Sequence, residues 1–338
     1  MLLTVSLLTT GVGQTRTAGS VKVVKGGDGG WTEAVVLRSG QVEAVVVPSV
    51  GRVMQFRFRG EKSGPFWENE ELTGRRADPE AKSWMNFGGD KTWPAPQADW
   101  PKVALRAWPP PGAFDSMPVE VVMQGDWVEM ISPVDPRYGI RTRRQVRLDP
   151  RRPVMTIRTI YEKVEGEPRR VSVWVITQLK DPDAVFAPLP DRSIFADGYV
   201  RQSKELPANL KRAELGLQMT RDPKVSTKIG TDAGRLLWIG KRESLLVDSP
   251  REARGEYPDQ GSSAEIYTNP DPAAYVELEM LGPLHEMKRG DRIERENRYT
   301  LFRRKGKTVE AEARRILCSS DEPRGARGKT VVASPCSP

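Results

Sequence analysis

The chain contains very little cysteine and histidine, the side chains that most often bind metals or activate nucleophiles. Its 338 residues include two cysteines, Cys318 and Cys336, and one histidine, His285. Two cysteines near one end exclude a disulfide framework and a cysteine-rich zinc site. One histidine excludes a histidine cluster for a metal, and Ser-His or Cys-His catalysis would require His285 as the base. We therefore predict no metal and no cofactor.

Long apolar runs are also absent from the sequence. No run approaches the ~20 residues that a membrane-spanning helix needs, so we predict no membrane span. The first residues, MLLTVSLLTTGVG, resemble a secretory signal, although no Lys or Arg precedes them. We interpret 1–20 as a signal segment, which predicts a periplasmic or secreted protein; otherwise the protein is cytoplasmic. The polar residues 319–338 predict a disordered tail, which leaves 21–318 as one domain.

The charge of the chain is moderately positive and spread along its length. The formal net charge is +8, from 53 Lys and Arg against 45 Asp and Glu. Scattered arginine is typical of a solvated surface. The more specific alternative is an anionic partner such as an acidic sugar. Nucleic acid is the least favoured partner; it would bind the arginine side of a strand at 140–148.

Short β-rich runs with turn residues between them dominate the sequence. In the run 140–148, Ile140, Thr142, Val146 and Leu148 share one face, and polar residues share the other. Further strands are predicted at 34–37, 41–47, 52–58, 118–124, 127–132, 154–162, 169–178, 235–240, 244–249, 263–268, 274–282 and 291–302. One helix is predicted at 308–317, with Thr308 as its N-cap. This pattern predicts an all-β fold of two packed sheets with one C-terminal helix.

A segment at 60–117 interrupts the strands and is rich in Trp, Pro and Gly. We predict no regular strand or helix there, because Pro94, Pro96, Pro101 and 109–111 break it. Six of the nine tryptophans lie between Trp67 and Trp127, a density that argues against disorder. A long ordered connection of this kind is usually functional.

Two groups of residues have the composition of a sugar site. Indole faces suit a sugar ring, and a few polar groups fix its orientation. Within 60–117 the candidates are Asn86, Asp90, Lys91, Trp93 and Gln97, beside a Gly88-Gly89 pair that lets the backbone approach a ligand. Trp174 and Gln178, on one face of a strand, form the second group. In both groups, packing of the tryptophans into the protein is the alternative.

The strand at 274–282 places two carboxylates on one face. Glu277 and Glu279 point to one side, and Val276, Leu278 and Met280 point to the other. Such a pair can supply a general base and an orienting group. The alternative is an ordinary solvated face. His285 lies beside a turn, and we predict that it is dispensable.

Several of these segments together resemble a known superfamily. The segments are 47–53, which contains Arg52, then 66–69, 86–94, 174–178, 276–279 and 282–284 with 290–291. Over 34–303 they resemble an uncharacterised bacterial branch of the galactose mutarotase-like (aldose 1-epimerase-like) superfamily. The most specific segment is Gly-Gly-Asp-Lys-Thr-Trp-Pro at 88–94.

The resemblance implies a β-supersandwich whose concave sheet binds a sugar or oligosaccharide. In the epimerases, a glutamate on a late strand is the base, which matches Glu277 or Glu279. A histidine on a middle strand protonates the ring oxygen, but 174–178 contains none. Lys91, Asp90 or Gln178 would assist instead, and Arg52 would join the substrate contacts. We expect a carbohydrate-binding protein that acts as an epimerase-like enzyme at the anomeric centre; the alternative is a non-catalytic binding or structural module.

Overall fold

Antiparallel β-strands make up most of the computed structural model, which describes residues 22–78 and 83–319. The strands are β1 (Lys22–Asp28), β2 (Trp31–Arg38), β3 (Val42–Val47), β4 (Arg52–Phe58), β5 (Asp90–Ala95), β6 (Glu120–Gln124), β7 (Trp127–Ile131), β8 (Ile140–Leu148), β9 (Val154–Lys163), β10 (Arg169–Lys180), β11 (Ala184–Ala187), β12 (Val200–Arg201), β13 (Lys211–Ala213), β14 (Gly216–Met219), β15 (Thr227–Thr231), β16 (Arg235–Ile239), β17 (Glu243–Asp248), β18 (Ala264–Thr268), β19 (Tyr275–Leu281), β20 (His285–Met287) and β21 (Arg292–Arg303). The helices are α1 (Trp100–Val103), α2 (Gly112–Asp115), α3 (Pro258–Gly261) and α4 (Val309–Leu317).

The strands form two large sheets. The first has the order β1-β2-β3-β4-β5-β10-β19-β18-β15-β12, with β20 pairing with β10. The second has the order β13-β14-β11-β16-β17-β21-β9-β8-β7-β6. The main hydrophobic core contains residues from both sheets, among them Val276, Leu278 and Met280 from the first and Ile157 and Leu301 from the second. The fold is therefore all-β, as predicted.

Residue alternation explains how the strands bury one face. Along β8 the buried and partly exposed residues alternate at every position. The buried set contains Ile140, Thr142, Val146 and Leu148, as predicted, together with Arg144. A strand places successive side chains on opposite faces, so one apolar face enters the core.

The predicted strands and helix are confirmed to within a few residues at their ends. Helix α4 begins after Thr308, whose side chain accepts a hydrogen bond from the backbone N–H of Ala311. The other three helices are single turns of four residues each. The C-terminal helix is thus the one helix longer than a turn among the described residues.

The prediction that 60–117 contains no regular element is wrong at β5 and at the single-turn helices α1 and α2. This strand lies between β4 and β10 in the first sheet despite containing Pro94. Pro94 is opposite Val173, whose carbonyl accepts from Gly282 on the other side of β10. Pro94 therefore occupies a non-hydrogen-bonded pair, so its missing N–H removes no bond between β5 and β10.

Both ends of the chain and 79–82 lie outside the described residues. The predicted signal segment 1–20 and, beyond Ser319, the predicted tail are among them. Within the described part, no helix has the length and apolar character needed to cross a bilayer.

Candidate functional site

The outer face of the first sheet collects most of the residues predicted for the site. Antiparallel pairing aligns Lys91 with Ile176 and Ile176 with Glu279, and it aligns Gln178 with Glu277. Trp93 is opposite Trp174 in the same way. Directly paired residues share a face. Three strands that are distant in sequence therefore place these side chains side by side.

A buried ion pair lies at the centre of this face. Lys91 Nζ is 3.4 Å from Glu277 Oε1. Burial lowers the pKa of Lys91, and the nearby Glu277 carboxylate opposes that shift. Burial raises the pKa of Glu277, and the Lys91 ammonium opposes it. The two pKa values are thus drawn toward each other, which reduces the cost of moving a proton between the groups.

Glu279 belongs to a second ionic group on the same face. Lys228 Nζ lies 2.8 Å from Glu279 Oε2 and 2.6 Å from Glu265 Oε2. The indole N–H of Trp174 also donates to Glu279 Oε2, at 2.7 Å. Burial raises the pKa of Glu265 well above its usual value, and the Lys228 ammonium opposes that shift. Glu279 is therefore held in place, whereas Glu277 keeps 6% of its surface exposed.

Sequence reasoning missed both Lys228 and Glu265. Glu265 is directly opposite Glu279, so the alternation in β18 would have identified it once that strand pairing was known. Lys228 lies on β15, the strand next to β18, and no local pattern distinguishes it from the many surface lysines. Its role depends on the pairing of strands that are far apart in sequence.

Four tryptophans, which we call the tryptophan cluster, cover the Lys91 side of the face. They are Trp84, Trp93, Trp100 and Trp174, with ring centroids 5.3 to 6.5 Å apart where they touch. Lys91 Nζ lies 5.0 Å from the centre of the Trp93 ring and 5.6 Å from that of Trp84. Aromatic faces attract a cation at this range. Trp93, Trp100 and Trp174 are thus packed into the protein and bury the face, which is the alternative that the sequence left open for both tryptophan groups.

Asp115, which the sequence analysis did not identify, orients the cluster. Its carboxylate accepts from the indole N–H groups of Trp84 at 3.0 Å and Trp93 at 2.8 Å. Arg52 donates to the same carboxylate at 2.8 Å and to the Gly88 carbonyl at 2.8 Å. All of the Arg52 side chain is buried. The sequence predicted Arg52 as a substrate contact. Its donors instead bind Asp115 and the backbone, so Arg52 stabilises the carboxylate that orients the tryptophans.

Asp90 is the clearest correction to the predicted site. It adjoins Lys91 on β5, so its side chain points to the opposite face, between the two sheets. There its carboxylate accepts from Thr177 and Tyr299, both at 2.6 Å, and from Arg144 of the second sheet. Its acceptor positions are filled by protein groups, which makes Asp90 a connection between the sheets and removes it from the sugar site.

The Gly88-Gly89 pair also has a different role from the predicted one. Both glycines have positive φ, 93° and 70°. A Cβ on Gly88 would lie 2.2 Å from the carbonyl oxygen of Trp67, and one on Gly89 would lie 2.6 Å from that of Val53. The close approach is therefore to the protein's own backbone. It lets the chain enter β5 beside β4.

Polar atoms without a protein partner lie beside the ion pair. Both side-chain atoms of Gln178, Oε1 of Glu279 and Oδ1 of Asn86 are buried and form no hydrogen bond of normal geometry. The Asn86 and Gln178 amides are close enough to the Tyr275 hydroxyl to affect its pKa, which burial raises. Buried polar groups are nearly always satisfied, so these atoms are candidate partners for a ligand hydroxyl or a water molecule.

The remaining predicted residues lie further from the pair. Gln97 starts the short turn Gln97–Asp99 and is only half-buried. His285 is exposed on β20. The arginine face of β8 is partly neutralised, since Arg143 pairs with Glu129 and Glu162 at 3.1 and 2.9 Å.

The two-sheet architecture is that of a galactose mutarotase-like β-sandwich. A galactose mutarotase-like protein from Lactobacillus casei superposes with a TM-score of 0.52 at 6% identity, covering 80% of this chain and 100% of its own. A candidate mutarotase from Salmonella typhimurium also gives 0.52, at 12% identity, covering 84% and 97%.

A candidate aldose 1-epimerase from Klebsiella pneumoniae has the same TM-score of 0.52 at 10% identity, covering 84% of this chain and 83% of its own. A TPR-domain containing protein from Parabacteroides distasonis gives 0.53 at 12% identity, covering 93% and 56%. Comparison with protein-family models and with curated sequences gives no match. At these identities the similarity is one of fold.

Proposed function

We propose that this protein binds a sugar at the Glu277–Lys91 pair and interconverts its anomers. The observation that carries the proposal is the pair itself, a buried acid and base 3.4 Å apart, beside the Gln178 amide, which forms no hydrogen bond of normal geometry. The mutarotase-like fold supports a sugar as the ligand, and the reaction is argued from the residues.

The chemistry requires one proton acceptor and one proton donor. The Glu277 carboxylate takes the proton of the anomeric hydroxyl, and the C1–O bond to the ring oxygen breaks as the carbonyl forms. Lys91 gives a proton to the ring oxygen, which receives the electron pair of the broken bond. Both transfers reverse when the ring closes on the other face of the carbonyl. Lys91 thereby takes the role of the histidine that protonates the ring oxygen in the epimerases and that the middle strand, at 174–178, lacks.

The charges around the pair favour a neutral sugar over an acidic one. On this face the ammonium groups of Lys91 and Lys228 are already paired with the carboxylates of Glu277 and Glu279. Burial raises the pKa of Asp259 on α3; the Lys228 ammonium opposes that shift and the charge on Glu279 adds to it. An added sugar carboxylate would meet the same repulsion in a medium of low dielectric constant. The free acceptor atoms suit the hydroxyl donors of a neutral sugar.

The test combines binding and turnover on the same sugars. Neutral hexoses, pentoses and the corresponding uronic acids are screened by thermal shift, where a ligand of the native state raises Tm. Those that bind are followed by NMR exchange between the two anomers, with and without protein. Faster exchange for a bound neutral sugar supports the proposal. Binding of the uronic acids alone would contradict the choice of a neutral ligand.

A non-catalytic sugar-binding module is the second candidate. It is favoured by the sequence of the middle strand, because 174–178 contains no histidine where the resemblance to the epimerases implies the acid. On this alternative the sugar stabilises the protein in the thermal-shift screen, while the rate of anomer exchange is the same as in buffer. The two candidates therefore differ in the exchange rate and agree on binding.

A further inference from the structure

Asp115 is a buried carboxylate that binds two of the indoles facing Lys91. Its oxygens accept from the indole N–H groups of Trp84 at 3.0 Å and Trp93 at 2.8 Å, and only 3% of Asp115 is exposed. The faces of the same two rings lie 5.6 and 5.0 Å from Lys91 Nζ. Asp115, on the turn α2, is therefore connected to Lys91 through two aromatic rings.

The connection of a lysine, an indole and a carboxylate occurs a second time on this face. The ring of Trp174 lies 4.6 Å from Lys228 Nζ, and its N–H donates to the buried Glu279 carboxylate at 2.7 Å. Trp100 of the same cluster donates instead to a backbone carbonyl at 2.8 Å. A carbonyl satisfies an indole at lower cost, because burying a carboxylate requires its desolvation. Packing of the rings alone therefore does not explain why the lysine-facing indoles have carboxylate partners.

The charged groups that act on Lys91 come from three elements. Burial lowers the pKa of Lys91, and the Glu277 carboxylate on β19 raises it. Arg52 on β4 lowers that pKa again, and Asp115 on α2 raises it. Since Arg52 and Asp115 are paired at 2.8 Å, their direct effects on Lys91 oppose each other. A carboxylate at an indole N–H also polarises the ring, which strengthens the attraction between the ring face and a cation.

We infer that Asp115 is a positioning residue that keeps Lys91 in its ammonium form beside Glu277, acting through the rings of Trp84 and Trp93. This inference rests on the proposed function, in which Lys91 is the acid, and adds the group that controls the pH range of that acid. Without this support the buried lysine would lose its proton at a lower pH and could not protonate a ring oxygen.

The test measures the titration of Lys91 itself, which requires no sugar. The chemical shift of its ε-carbon is followed against pH by NMR, and Lys91→Met assigns the signal. The variant Arg52→Met/Asp115→Asn removes both charges of the buried pair, so it avoids leaving either one unpaired. If Asp115 acts through the rings, Lys91 should titrate about 0.5 pH unit lower in this variant. Direct charge effects alone would leave the titration unchanged or raise it, because the two groups oppose each other.

Trp84→Phe provides a second measurement that leaves the Arg52–Asp115 pair intact. It keeps a ring at a half-buried position and removes one N–H that binds Asp115, so Lys91 should again titrate lower. The matched control is Trp108→Phe. The Trp108 ring lies 5.1 Å from that of Trp84, but 45% of Trp108 is exposed and its ring is not among the groups that bind Asp115 in the described part of the chain. Lys91 should titrate in the control as in the parent.

Anomer exchange of glucose and galactose gives the functional readout. In both test variants the upper pH limit of accelerated exchange should move down together with the Lys91 titration, while the affinity for these neutral sugars, measured by calorimetry, stays that of the parent. A residue that only supported the fold would change stability without moving this pH limit.

Each other outcome is decisive. An unchanged or raised titration of Lys91 in Arg52→Met/Asp115→Asn overturns the inference, and so does an unchanged titration in Trp84→Phe or an equal shift in Trp108→Phe. If the parent accelerates exchange and Lys91 does not shift, the proposed function stands and the inference fails. If Lys91 shifts as expected but the parent accelerates the exchange of neither sugar, the proposed function fails for both sugars and the control of Lys91 by Asp115 stands.

Discussion

At the scale of single residues, the Lys91–Glu277 pair is the feature with two competing explanations. A buried ion pair often contributes little net stability, because the desolvation of both groups offsets their attraction. Retaining such a pair beneath aromatic rings is therefore more easily explained by chemistry than by folding. The neighbouring Gln178 amide, which has no hydrogen bond of normal geometry, supports the same view.

Variants of the pair separate these explanations. Glu277→Gln leaves the Lys91 ammonium opposite a neutral amide, and we expect a loss of about 1–3 kcal/mol in the free energy of unfolding. Adding Lys91→Met removes the unpaired charge and should recover most of that stability. The acceleration of anomer exchange should be lost in both variants, since neither retains the acid–base pair, and the rate should fall to that in buffer. Urea unfolding and NMR exchange measure the two effects.

The control for this comparison is Glu296→Gln. Glu296 forms an exposed ion pair with Arg158 at 3.3 Å on the second sheet, and exposed pairs contribute little. Its stability and exchange rate should match those of the parent. If the Lys91→Met/Glu277→Gln protein recovers stability and still accelerates anomer exchange, the pair is structural and the mechanism is wrong.

His285 provides a second test at this scale. It is exposed and lies on β20, where it pairs with Val171 of β10. Since His285 is distant along β10 from the Gln178 end, where Glu277 pairs, we expect His285→Asn to bind sugar and exchange anomers as the parent does. A collapse of either activity in a folded His285→Asn protein would mean that the site is placed wrongly.

At the scale of elements, β5 has two unrelated roles on its two faces. Lys91 and Trp93 belong to the candidate site, whereas Asp90 connects the two sheets through Arg144 and Tyr299. The pleat ties these roles together, because a shift of one residue would exchange the faces. The glycines before the strand allow it to enter beside β4.

Asp90→Ala tests the structural role of the inner face. The change leaves the buried Arg144 guanidinium without its carboxylate partner, and we expect a loss of about 3–5 kcal/mol in the free energy of unfolding. Asp126→Ala, which removes an exposed carboxylate 3.7 Å from Arg147, should cost almost nothing. A protein with Asp90→Ala that unfolds at the parent's urea concentration would refute the assignment.

At the scale of the whole molecule, excess carboxyl groups inside the first sheet make stability depend on pH. Burial raises the pKa of Glu265 well above its usual value. In the unfolded chain this group ionises near its ordinary pKa, while in the folded protein it keeps its proton to higher pH. Folding is therefore favoured by this group at low pH, and the advantage declines as pH rises toward the raised pKa.

Glu265→Gln should remove that part of the pH dependence. Above about pH 4.5, the stability of the parent relative to the variant should fall by up to about 1.4 kcal/mol per pH unit. Urea unfolding of both proteins between pH 5 and 8 measures the difference. A gap that is constant across this range, or that changes in the opposite direction, would mean that Glu265 is ionised in the folded protein.

The sequence by itself determined thirteen of the twenty-one described strands, the C-terminal helix and the division of faces along β8 and β19; it did not determine β5 or β15, which carry Lys91 and Lys228. The elements that it determined follow from local alternation and capping, which depend only on neighbouring residues. The sequence also identified Glu277, Glu279, Lys91 and Trp174 as candidate site residues. Its Gly-Gly-Asp-Lys-Thr-Trp-Pro segment indicated the fold.

Only the tertiary structure decided which candidates meet. Strand order places β10 between β5 and β19, and these two pairings bring Lys91 to Glu277, which is 186 residues away in the sequence. The pairing of β19 with β18 and of β18 with β15 brings Glu265 and Lys228 to Glu279, and the turn α2 brings Asp115 to the tryptophans. The physical reason is that a side chain's face is set locally by the pleat, whereas its neighbours are set by non-local hydrogen bonding between strands.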